Sequence, residues 1–186
     1  GMKLYSYGLS YNDGTRQIEL SRHGPCTIPE RRYEPEFLHK ILYQRIYLNH
    51  CGIEKDMIVS LNAKRTPSGL YHCQRGAQVY GLFDLRLLAL YSLLSFRDMF
   101  VYAHHYPHDG SIMPTKDDDE MCRKLKSVYE PLSAKLIDFL LVNANGYYSY
   151  MASGRLEAPS GFGIPSALPA VKHEIHIMEG GDIWAA

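Results

Sequence analysis

Residues 79–110 read VYGLFDLRLLALYSLLSFRDMFVYAHHYPHDG, and the way this run folds decides the architecture of the chain. It is apolar almost without break as far as Tyr102, and it then delivers His104, His105, His108 and Asp109 into a loop interrupted by Pro107. At about 100° per residue, Asp84, Tyr91, Ser95, Asp98 and Tyr102 fall into one narrow seam, with Arg86 and Arg97 opposite. The pattern predicts a central helix over 79–102, enclosed by other elements on nearly every side. Asp84, Arg86, Arg97 and Asp98 would be costly in lipid, so the run is not read as a membrane span.

Outward from that run, the flanking segments carry local signals. Tyr5, Tyr7, Leu9 and Tyr11 alternate with small or polar residues, which is strand periodicity. Asn12-Asp13-Gly14 then supplies the positive φ angles of a hairpin turn, and the chain returns through Ile18 and Leu20. The stretch from His23 to Arg32 holds two prolines and several charges and reads as a loop. Pro35 opens a helix in which Phe37, Leu38, Ile41, Leu42 and Leu48 recur at helical spacing, with Gly52 as its C-terminal cap. Short strands are predicted at Met57–Leu61 and Leu70–Cys73, around the turn at Thr66-Pro67-Ser68-Gly69. Thr115 and Asp118 form a capping box, and the acidic run from Asp117 to Glu120 suits the positive end of a helix dipole. Leu132, Leu136, Ile137, Phe139 and Leu140 read as a second amphipathic stretch. A long loop from Ser153 to Pro169 and a last strand over Val171–Met178 complete the chain. The expected fold class is α+β: a single domain over 2–186, with a small, mainly antiparallel sheet packed against a helical layer that contains the central buried helix. Gly1 ahead of Met2 reads as a tag scar.

A chain of 186 residues is long enough for one well-buried core. Lys plus Arg and Asp plus Glu both total 20. The strongly basic footprint that electrostatic nucleic-acid binding needs is therefore missing, and nucleic acid is not an expected partner. Net charge near zero eases self-association, so a homo-oligomer stays open. Cys26, Cys51, Cys73 and Cys122 lie too far apart for a zinc knuckle and are read as reduced, mostly buried thiols. The N-terminal residues contain no apolar leader segment, so the expected location is the cytoplasm, without membrane attachment. Tyrosine occurs 15 times against one Trp, and its apolar body and polar tip suit half-buried surfaces and pocket walls.

Four places carry chemistry. His104, His105, His108 and Asp109 offer donors that suit Zn, Fe or Mn, with His173 or His176 available to complete the shell. The same imidazoles also suit the C-terminal dipole of a helix. Arg22-His23-Gly24, after the strand-like Ile18-Glu19-Leu20, resembles the phosphate-binding signature of the histidine phosphatase superfamily. That resemblance implies His23 as nucleophile, Arg22 as the neutraliser of phosphate oxygens, and His108-Asp109 as the pair that protonates the leaving group. Arg45 and His50 show the R-x4-H spacing that resembles HEPN-type ribonucleases, whose all-helical bundle disagrees with the strands expected here. On a strand, Glu174 and His176 share one face and form a further candidate pair.

No catalytic constellation is complete in the sequence. The leading expectation is therefore a non-catalytic domain that binds a small molecule or a protein partner through tyrosine-lined surfaces. The alternative is a metal-dependent or histidine-based hydrolase of phosphoesters, with His108, Asp109, Arg22 and His23 as catalytic residues and His104, His105, His108 and Asp109 as metal ligands.

Overall fold

A computed structural model describes residues 1–46, 48, 52–73 and 85–157. Among these residues seven strands form one mixed sheet, and three helices cover its two faces. In chain order the elements are β1 (Met2–Asn12), β2 (Gln17–Ile28), α1 (Pro35–Gln44), β3 (Lys55–Leu61) and β4 (Pro67–Cys73). There follow α2 (Leu85–Ser95), β5 (Met99–His105), α3 (Lys116–Tyr129), a 3-10 turn (Glu130–Leu132), β6 (Lys135–Asn143) and β7 (Gly146–Ser149). The strand order is β2-β1-β4-β3-β5-β6-β7. The β1–β4 and β5–β6 pairs are parallel and the others antiparallel.

This architecture overturns the expected small, mainly antiparallel sheet with a central helix. The decisive run divides. Leu85–Ser95 is helical, but Phe96 takes the left-handed conformation with φ of 53° and stops the helix. Arg97 and Asp98 turn the chain, and Met99–His105 becomes β5, an inner strand paired to β3 and β6. A strand buried on both faces shows no alternation of polar and apolar residues, so its sequence cannot be told from a buried helix. Lys135–Asn143 was misread for the same reason: β6 is buried at every position after Lys135. The chain from His23 to Ile28, expected as loop, continues β2.

Alternation on the inner strands builds two cores. Val59, Leu70, Val101, Ala103 and Leu140 face α1, packing on Leu38 and Leu42. Ile58, Tyr71, Phe100, Tyr102 and Phe139 face α2 and α3, packing on Leu88, Tyr91 and Leu125. Gly69 in β4 admits the Ser60 side chain, because a Cβ there would stand 2.9 Å from Ser60 Oγ. Among the described residues, Cys26, Cys73 and Cys122 are free thiols, the last two buried. No described helix is long and apolar enough to cross a membrane. The expected strand at 171–178 and most of the loop before it lie outside the described residues, as do His50, His173, Glu174 and His176.

Candidate functional site

The polar groups on the α2/α3 side of β5 follow from its period of two. Tyr102 and His104 share one face, and Tyr106 extends that face past the strand's end, where its N–H still donates to Val142 O at 2.9 Å. The Tyr106 ring stands edge-on to the His104 ring, with centroids 4.3 Å apart. The β3–β5 register sets Asp56 directly opposite His104. The Asp56 carboxylate accepts from the Tyr102 hydroxyl through one oxygen and meets His104 Nδ1 with the other. All three side chains are fully buried. His104 Nε2 is also buried and has no hydrogen-bond partner.

A second carboxylate closes the other end of this row. Asp118, in the first turn of α3, is 1% exposed. Its Oδ2 accepts from Tyr106 Oη at 2.7 Å and from Thr115 N and Oγ1, each at 2.9 Å. Asp118 N donates back to Thr115 Oγ1 at 3.1 Å, so the expected capping box forms and doubles as the anchor of Tyr106.

The sequence-derived candidates separate in space. His105 lies on the opposite face of β5 from His104, donates from Nδ1 to Ile53 O at 3.2 Å, and packs near Tyr43. Burial, ahead of its neighbours' charges, pushes its pKa down. His108 and Asp109 are exposed in the loop after β5. Gly110 N donates to His108 Nδ1 at 3.2 Å, and Asn145 Nδ2 donates to Asp109 O at 2.8 Å. His104 and His108 flank Tyr106, whose ring is 5.4 Å from that of His108. Arg22 and His23 stand on β2, the edge strand, with Arg22 over the Tyr5 ring. Four strand spacings separate β2 from β5, roughly 19 Å. The pair is thus not brought to His108 and Asp109.

Sequence reading found His104 and the Thr115–Asp118 box but missed Asp56, Tyr102 and Tyr106 as their partners. The alternation Tyr102-x-His104-x-Tyr106 was the available signal, hidden once the segment was read as a helix. On the α1 side, Asp138 is buried among Tyr33 Oη and Ser149 Oγ, both donating at 2.6 Å, and Met151 N at 3.0 Å. Desolvation outweighs these bonds and raises its pKa to about 6.

Residues 33–155 match the family model described as the RadC-like JAB domain. A UPF0758 protein of Streptococcus gordonii is 29% identical over 124 residues, covering 65% of this chain and 52% of that protein. One from Streptococcus sanguinis is 33% identical over 60 residues, covering 32% and 26% respectively. A third, from Flavobacterium johnsoniae, is 24% identical over 101 residues, covering 54% and 44%. The chain therefore spans about half the length, or less, of these relatives.

JAB domains are often metal-dependent hydrolases, which puts the donor set to a test. A zinc centre takes three or four nitrogen, sulfur or oxygen ligands from protein. Among the described residues, no three His, Cys, Asp or Glu side chains converge in that way. Around Tyr106 there are the buried Nε2 of His104, one Asp118 oxygen already accepting three hydrogen bonds, a phenol, and the exposed His108 ring, whose Nδ1 accepts from Gly110 N. These residues do not fit a metal centre.

Proposed function

This chain belongs to the RadC-like JAB domain family, and from that premise we propose that it binds a protein partner rather than hydrolysing a substrate. The observation that carries this reading is the hairpin built by residues 2–28, ahead of the matched family region. Its register sets Tyr7 opposite Arg22 and Leu9 opposite Leu20, with Ile18 two positions before Leu20, so one face carries an apolar strip. Tyr7 and Leu9 root the strip in the core beside Tyr71, whereas Ile18 is 58% and Leu20 43% exposed. The other face carries Ser6, Gly8, Gln17, Glu19 and Ser21. Among the described residues β2 has only β1 beside it, so the outer edge of the described sheet offers backbone groups to an added strand. A partner strand laid there would satisfy those groups and cover Ile18 and Leu20. Nucleic acid is not part of this reading, because the net charge is zero.

The test is site-specific photo-crosslinking of the intact chain in cells, with the photoreactive residue at Ile18 or, as control, at exposed Arg123 on α3. A discrete protein adduct from position 18 alone is expected, and Leu20→Asp should abolish it. Equal labelling from both positions, or none from position 18, refutes the reading.

A further inference from the structure

We infer that Tyr106 keeps this JAB domain free of metal by filling, with its ring and hydroxyl, the place between His104 and Asp118. Three observations converge on that side chain. Its ring edge meets the His104 ring, whose Nε2 is buried and has no partner. Its hydroxyl donates to Asp118 Oδ2, the oxygen that also takes both Thr115 donors. Its backbone stays in register with β6, so the side chain is held on the His104 face by the sheet itself.

A neutral phenol is a poor ligand for a divalent cation, because its proton must first be lost. Here the hydroxyl donates that proton in a hydrogen bond to Asp118 Oδ2, the oxygen that also closes the capping box, so a metal taking this oxygen would compete with the cap of α3. His104 is constrained in parallel, since Asp56 holds its Nδ1 and leaves only Nε2 to offer. One nitrogen and one saturated oxygen are too few for a zinc site. On the strand face that presents His104, position 106 is the next to offer a ligand. Two imidazoles at alternate positions of one strand face, followed by a nearby carboxylate, make a three-ligand set. This chain has His-x-Tyr where that arrangement needs His-x-His. The inference goes beyond partner binding at the hairpin and does not share its experiment, because no hairpin residue touches Tyr106.

The test is calorimetric titration of the whole, chelator-treated protein with Zn2+ and separately with Mn2+. The unaltered protein is expected to show no stoichiometric uptake of either ion. Tyr106→His is expected to take up one equivalent of Zn2+ and to lose it again when combined with Asp118→Asn. Tyr106→Phe, which removes the hydroxyl without adding a nitrogen, is expected to stay metal-free. One equivalent bound by the unaltered protein and removed by His104→Ala overturns the inference. So does a folded Tyr106→His variant, checked by circular dichroism, that gains no site. Should Tyr106→His fail to fold, the titration of the unaltered protein and its His104→Ala variant decides alone.

Discussion

Two buried carboxylates sit on opposite faces of the same sheet, and they are satisfied in opposite ways. Asp56, facing α2 and α3, lies against an imidazole and a tyrosine hydroxyl. Asp138, facing α1, is surrounded by neutral donors alone, from Tyr33, Ser149 and Met151. For Asp138, desolvation outweighs those donors and favours the protonated form. The contrast is one of partners: an imidazole and a phenol on one face, two hydroxyls and a backbone amide on the other.

The strongest way to break the comparison is to remove the Asp56 carboxylate. Asp56→Ala removes the carboxylate that meets His104 Nδ1 and accepts from Tyr102 Oη, both fully buried. The loss expected for breaking such a buried pair is about 3–5 kcal/mol, read from urea denaturation. A loss below about 1 kcal/mol would mean that the two freed groups find other partners.

Asp138 sharpens the contrast through pH. Its pKa of about 6 in the folded chain exceeds the ordinary carboxyl value of 3.8. The protonated form is therefore the one the fold prefers. Its stabilising contribution is fully present below the unfolded pKa and is lost as pH rises through 6. At 1.36 kcal/mol per unit of pH the whole effect is about 3 kcal/mol. Urea midpoints measured from pH 4 to 7.5 should fall with rising pH, and Asp138→Asn should flatten that part of the slope. An unchanged slope in the variant would assign the dependence to other groups. The smallest effect is expected at the edge of the Asp118 cluster. Thr115→Ala removes a cap and should cost about 1 kcal/mol in the same assay.

What the sequence made legible was local, and what it hid was long-range. The β1–β2 hairpin, the helix opening at Pro35, the strands β3 and β4, and the Thr115–Asp118 box all rest on signals within a few residues. The strands β5 and β6 rest on nothing local, since burial on both faces erases the alternation that marks a strand. Reading 79–102 as one helix also put His104 and His105 in a loop, where both could point at one ion. In a strand they face opposite cores. Asp56 lies 48 residues from His104 and meets it only through the β3–β5 register, which no short window contains.

Asn143, the last residue of β6, is fully buried and bonded in two directions. Its Nδ2 donates to Gly110 O at 2.7 Å, while its Oδ1 accepts from the amides of Asn145 and Gly146 at 2.9 and 3.1 Å. One amide side chain thus rivets the segment after β5 to the turn before β7. Proteolytic nicking at the two segments should rise together when this rivet is cut, as in Asn143→Ala, because the one side chain holds both.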